Sequence, residues 1–129
     1  LCVQIRNHND NQRETLQTES HDGGKTWSTP HEIGVKGFPS HLLRLKDNTL
    51  LMTYGFRNKP PGIRGKTSSD NGRTWSDEFR LTDDAASWDL GYPSTVQLAD
   101  GTLVTVWYEV LSDSSQAVLR QARWMLKAN

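Results

Sequence analysis

The chain has 129 residues, and 15 lysines and arginines balance 15 aspartates and glutamates. No overall field therefore favours a nucleic acid or an anionic membrane surface, and any anion must be recognised by a few placed groups. A single cysteine, Cys2, excludes an internal disulfide and a cysteine-based metal cluster. It leaves the compartment open, with a secreted or periplasmic location slightly favoured over the cytoplasm. No apolar run approaches the roughly 20 residues of a membrane-spanning helix. The start at Leu1, without Met or a leader pattern, reads as a cut into a longer sequence.

In chain order, Leu1, Val3 and Ile5 alternate with Cys2, Gln4 and Arg6, which predicts a strand. Residues 20–28 then read Ser-His-Asp-Gly-Gly-Lys-Thr-Trp-Ser. Gly37-Phe38-Pro39-Ser40 leads into an apolar stretch that turns at Asp47-Asn48, types that tolerate positive φ. Leu50, Met52 and Tyr54 alternate with Leu51 and Thr53 as the returning strand. Residues 68–76 read Ser-Ser-Asp-Asn-Gly-Arg-Thr-Trp-Ser, repeating the earlier nonapeptide with Asp22 and Asp70 48 positions apart. Gly91-Tyr92-Pro93-Ser94 repeats the second motif and leads to a turn at Asp100-Gly101. In 103–110, Val104, Val106, Tyr108 and Val110 form one face and Leu103, Thr105, Trp107 and Glu109 the other. A last strand is expected from Ala117 to Leu126, and nothing reads as a long amphipathic helix.

Two interleaved motifs in the same order, about 50 residues apart, give about four short antiparallel strands per unit, the size of a propeller blade. The expected fold is all-β: about two and a half to three four-stranded blades. Residues 1–36 hold the last three strands of one, 37–86 form a complete one, and 87–129 form most of another. A blade buries its flat faces only against neighbours. Two open faces therefore imply that the chain continues upstream or self-associates through them.

The nonapeptide fits a hairpin turn between a blade's third and fourth strands. Asp22 and Asp70 accept backbone N–H bonds, and Gly24 and Gly72 take positive φ. Ser20, Thr26, Ser68 and Thr74 satisfy local backbone groups. Trp27 and Trp75 are expected to fold back and bury most of a ring. The alternative reading is a calcium loop, but too few carboxylates follow at that spacing. The nonapeptides are read as structural.

The stretch from Gly55-Phe56-Arg57 through Gly62-Ile63-Arg64, the second nonapeptide, Gly91-Tyr92-Pro93-Ser94, Leu98-Ala99-Asp100-Gly101-Thr102 and Trp107-Tyr108-Glu109 resembles the last third of bacterial sialidases. The closing Leu119 to Leu126 resembles that family's final strand. The resemblance implies the sialidase (neuraminidase) superfamily, a six-bladed propeller of Asp-box (BNR) repeats. It implies a retaining exo-sialidase whose arginines clamp the carboxylate of a terminal sialic acid, since the guanidinium fork meets a carboxylate bidentately. Arg6 matches the second clamp arginine, Arg57 the third, and Tyr92 the nucleophile, a phenol being suited to a substrate that carries its own carboxylate. The first arginine, the acid/base aspartate and the glutamate partner of the tyrosine are implied upstream, so the chain alone is expected to be inactive.

Two departures bear on the site. Pro93 follows Tyr92 and is expected to hold it in extended geometry. An insertion from Thr82 to Asp89 places Trp88 and Asp89 beside the cleft, as substrate contacts or, for Asp89, as a partner for an arginine. Tyr92 has an alternative reading as a packing position matched to Phe38, and Arg57 as a solvated surface group. Arg64 is expected to pair with a neighbouring blade and Glu109 to serve structure. The four histidines show no metal-ligand spacing. The expected partner is a sialylated or other acidic glycan, with no cofactor, metal or nucleic acid. The rival readings are a non-catalytic carbohydrate-binding propeller and an interaction propeller that uses the Asp-boxes only as turns.

Overall fold

The computed structural model describes residues 1–8, 14–112 and 116–126. Among them there is no helix; ten strands form three antiparallel sheets. The first sheet contains β1 (Cys2–Ile5), β2 (Leu16–Glu19) and β3 (His31–Glu32). The second contains β4 (Ser40–Arg44), β5 (Leu50–Phe56), β6 (Gly62–Ser68) and β7 (Phe79–Arg80). The third contains β8 (Leu90–Gln97), β9 (Leu103–Val110) and β10 (Ala117–Trp124). Each sheet is a meander in which sequence neighbours pair. The tight turns fall where the sequence places them, with Asn48 at φ 68° and Gly101 at φ 89°.

The second sheet lies between the other two, and its burial says so. β5 is buried at every position but its last, whereas β8 alternates buried and exposed after Gly91. A strand covered on both sides needs apolar or self-satisfied groups on both faces; a strand covered on one side needs them at alternate positions. Towards the first sheet, Val35, Met52 and Tyr54 form a core joined by Ile33, Leu42 and Trp75. Towards the third, Leu45, Leu51 and Leu103 form one cluster and Ile63, Leu90 and Trp107 another. Each such side chain contributes about 1.5–3 kcal/mol on leaving water. Several polar groups caught between sheets are paired, although the buried Trp107 Nε1 has no hydrogen-bond partner among the described residues. Gln17 donates to the Gly72 carbonyl at 2.8 Å, and the Thr53, Thr95 and Thr105 hydroxyls form a buried chain at 3.1 and 2.9 Å.

The Asp-boxes join β2 to β3 and β6 to β7, and they are near copies. Asp22 Oδ1 accepts from the Thr26 amide at 2.9 Å and Oδ2 from its hydroxyl at 2.6 Å. Asp70 does the same with Thr74, at 2.9 and 2.6 Å. Ser20 and Ser68 donate to those carboxylates and accept from the amides of Gly24 and Gly72, both at 2.8 Å. The two glycines have φ of 92° and 87°, where a side chain is disfavoured. These hydrogen bonds hold both carboxyls well below their ordinary range, the threonine hydroxyl bond being the largest cause, and bring Asp70 to about 2.

Three details differ from expectation. Trp75 packs on the Val35–Met52–Tyr54 core and its Nε1 donates to Gln17 at 3.3 Å, but Trp27 is 43% exposed. The seat of Trp75 combines Met52 and Tyr54 of its own sheet with Gln17 of the first sheet and Val35 of the segment between them, and among the described residues no sheet precedes the first to offer Trp27 such partners. Arg64 pairs within its own unit rather than with a neighbour. It donates to the carbonyls of Pro60 and Thr82 and lies 3.4 Å from Glu78. Tyr92 is not extended: its φ is 53°, at a register shift between Gly91 and Ser94. The bulge, rather than Pro93, sets its backbone.

Candidate functional site

The three sheets bring their chemistry to one end. Arg6 follows β1, Arg57 follows β5, and Tyr92 sits in the bulge of β8. In the β5–β6 pair, Phe56 faces Gly62 at this end and Leu50 faces Ser68 at the other, where the Asp-box begins. Seven strand residues separate the two ends, roughly 20 Å at the usual rise. The Asp-boxes are therefore remote from this cluster.

Close backbone approach makes the cluster possible. A Cβ on Gly55 would lie 3.0 Å from the Gly91 Cα and 3.3 Å from the Phe38 carbonyl, so a larger residue there would force β5 and β8 slightly apart. Tyr92 then leaves the sheet in the left-handed region, uncommon for a bulky residue and typical of sites where the surroundings enforce it. Its ring is 58% exposed.

The side chains converge. Arg6 Nη1 donates to the Tyr92 hydroxyl at 3.2 Å, and its guanidinium carbon lies 4.8 Å from the centre of the Phe38 ring. The Arg57 guanidinium carbon lies 5.9 Å from the same ring and 6.0 Å from that of Trp88. Phe38 is thus a shared platform beneath two cations. Arg57 is oriented by two donated bonds, Nε to the Leu90 carbonyl at 3.1 Å and Nη2 to the Tyr108 hydroxyl at 3.2 Å. Tyr108 in turn donates to Asp89 Oδ1 at 2.5 Å. Burial and that bond push the Tyr108 phenol above its ordinary pKa, so it remains a proton donor to the carboxylate near neutral pH. The Tyr92 and Tyr108 rings lie 5.8 Å apart.

A cavity of about 410 Å³ opens on this cluster, lined by Arg6, His8, Lys36, Phe38, Arg57, Asn58 and Trp88, with backbone from Gly37 and Gly55. Three of those side chains are cationic. Among the described residues, neither Arg6 nor Arg57 forms an ion pair with a carboxylate. Their charge is held by aromatic faces, carbonyls and phenols and is left for an anion. By contrast, Arg120 is fully engaged, with Glu109 at 2.9 Å and Asp84 at 3.1 Å.

Arg6, Arg57 and Trp88 therefore line one cavity, and Tyr92 stands beside it, joined through Arg6 but not part of its lining. Asp89 is there as well, but it bonds to Tyr108 and reaches Arg57 only through that phenol. Glu109 is buried behind the site, where it accepts from the Ala86 amide at 2.8 Å and anchors the 81–89 loop to Arg120. Sequence reasoning missed Phe38 as a platform and Tyr108 as the group that orients Arg57. The repeat that matches Phe38 to Tyr92 carried the first signal. Nothing in the sequence marked Lys36, His8 or Asn58.

Comparison with known proteins adds three findings. A family model described as a BNR repeat-like domain matches residues 1–117. A crystal structure of a protein of unknown function from Dyadobacter fermentans DSM 18053 is similar, with a TM-score of 0.69 and 37% sequence identity over 76% of this chain. The chain spans 28% of the length of that protein. Nothing matches among curated proteins.

Proposed function

The chain belongs to the BNR repeat-like domain family, and on that premise we propose that it forms part of a sialidase-like site for the carboxylate of an acidic sugar at the end of a glycan. In this reading the three sheets are consecutive blades of a six-bladed propeller, with parts at about 1–36, 37–86 and 87–129. The cluster of Arg6, Arg57 and Tyr92 faces the axis. Arg6 and Arg57 clamp the sugar carboxylate, Trp88 walls the ring, and Tyr92 is the nucleophile of a retaining glycosidase. Asp89 serves through Tyr108, which keeps the Arg57 fork in its plane.

The observation that carries the reading is the pair of guanidiniums converging on one cavity with no carboxylate neutralising either among the described residues. Arginine without an acid partner, set on aromatic faces in a partly enclosed pocket, suits a bidentate anion better than a neutral ligand. A second reading, acidic-glycan binding without turnover, has its own support. The phenol that bonds a carboxylate is Tyr108, whereas Tyr92 bonds Arg6. A Tyr nucleophile needs a base beside it.

Calorimetric titration of the purified protein with N-acetylneuraminic acid and with its methyl ester tests the shared claim. The acid is expected to bind at least tenfold more tightly; equal affinities would remove both readings. A fluorogenic sialoside then separates them, and no turnover is expected from the 129 residues alone.

A further inference from the structure

We propose that the same site carries a second activity, β-elimination at a hexuronate glycosylated on O4, with Tyr92 as the group that moves the proton. This rests on the acidic-sugar reading of the cavity. It extends that reading from a sialic acid to a uronic acid, and from hydrolysis to a bond cleavage that uses no water.

The cavity holds the cations that a sugar carboxylate needs and lacks the acids that a hydrolysis needs. Among the described residues, no aspartate or glutamate lines it. Asp89 is taken up by the Tyr108 hydroxyl at 2.5 Å, and Glu109 is buried against the Ala86 amide and Arg120. Glycoside hydrolysis ordinarily takes a pair of carboxyl groups, one to protonate the leaving oxygen and one to attack or to activate water. Elimination from a uronate takes neither. It needs cationic groups on the sugar carboxylate, where charge builds up as the neighbouring carbon loses its proton, and one base beside that proton.

Tyr92 stands where such a base is needed. The bulge at Gly91 lifts it out of the sheet, with φ at 53°, and leaves the ring exposed beside the cavity. Its hydroxyl accepts from Arg6 Nη1 at 3.2 Å, and among the described residues no carboxylate bonds it. A phenol takes a proton from carbon as the phenolate, and a guanidinium N–H on its oxygen is the contact that holds that charge. Arg6 joins the two halves of the site, because it both bonds the phenol and lines the cavity. A carboxylate clamped by Arg6 therefore brings the carbon that bears it close to Tyr92. In a sialic acid that carbon carries the glycosidic oxygen and no hydrogen. In a hexuronate it is C5, which carries one.

The step balances within the site. The Tyr92 oxygen takes the C5 proton, and the electron pair left behind is spread onto the clamped carboxylate. That pair then forms the C4–C5 double bond as the C4–O bond breaks. The departing oxygen takes the proton from Tyr92, which returns to its starting state, and no oxidant or water is consumed. One phenol serves both transfers when H5 and O4 lie on the same face of the ring, as in glucuronate. Galacturonate presents them on opposite faces.

Ultraviolet absorbance of the unsaturated uronate tests this in the purified 129-residue protein. The substrates are hyaluronan oligosaccharides, whose glucuronates are substituted on O4, and polygalacturonate. Hyaluronan is expected to give the unsaturated product and polygalacturonate none. Tyr92→Phe should lose roughly a hundredfold or more of the rate, while glucuronate still binds it in calorimetric titration and its thermal melt matches the parent's. Deuterium at C5 should slow the unaltered protein. Binding of glucuronate and N-acetylneuraminic acid with no unsaturated product, or cleavage that leaves saturated ends, overturns the elimination alone. Full activity in Tyr92→Phe, or equal rates on the two polymers, overturns the role given to Tyr92. If neither acid binds, the acidic-sugar reading falls and takes this proposal with it.

Discussion

Replacing Arg57 by lysine keeps the positive charge and removes the fork, which makes it a sharp probe of the clamp. Two of the guanidinium's donors are already committed, Nε to the Leu90 carbonyl at 3.1 Å and Nη2 to Tyr108 at 3.2 Å. They set its plane and leave Nη1 and the second Nη2 proton for a ligand. A lysine has one nitrogen, so it cannot hold both anchors and meet a carboxylate in an oriented pair. The loss is about one charge-assisted hydrogen bond, ~1.5–3 kcal/mol. That corresponds to a roughly 10- to 150-fold rise in Kd. Titration of R57K with N-acetylneuraminic acid measures it, and a melting temperature close to the parent's shows that folding is intact. A Kd within twofold of the parent would refute the claim that the fork, rather than charge alone, holds the ligand.

Other consequences follow from the packing. Trp75→Ala is expected to cost about 3 kcal/mol in urea unfolding, because the ring closes the core between the first two sheets. Trp27→Ala should cost under about 1 kcal/mol, since that ring is 43% exposed; equal costs would show that box tryptophans act within their own turn. Gly55→Ala is expected to cost about 1–3 kcal/mol and to weaken ligand binding, because the added Cβ would lie 3.0 Å from the Gly91 backbone, which has no flexible end to yield. Asp70 links stability to pH. Its folded-state pKa is depressed from 3.8 to about 2, so the stabilisation is fully present above about 3.8 and disappears as the pH falls towards about 2. Denaturant midpoints across that window should drop less steeply in Asp70→Asn than in the parent, and parallel slopes would contradict the assignment.

How far the sequence could be read follows from how local each feature is. The Asp-boxes were legible because nearly all their bonds close within the nonapeptide, from Ser20 to Gly24 and Asp22 to Thr26. The fate of their tryptophans was not, because the seat of Trp75 includes Val35 and Gln17 from other segments. Arg6, Arg57 and Tyr92 could be picked out by the resemblance of their surrounding stretches to sialidases rather than by the internal repeats, and they come together at one end of the sheets. The coupling of Tyr108 to Asp89 could not, since it joins residues 19 apart through the β8–β9 register and the bulge at Gly91. The same bulge explains Tyr92. Reading Pro93 alone gave an extended backbone, whereas the extra residue turns the phenol outward with φ at 53°. Glu109 was rightly assigned a structural part, but the loop it anchors was visible only once Ala86 and Arg120 were placed around it.

The account depends on a carboxylate lying across the ends of successive sheets, between side chains that no single motif contains. A crystal structure of the protein soaked with N-acetylneuraminic acid tests this most directly. The sugar carboxylate is expected within about 3 Å of a guanidinium nitrogen of both Arg6 and Arg57, with the ring against Trp88. A sugar held with its carboxylate turned to solvent, or seated at the Asp-box end of the sheets, would contradict it.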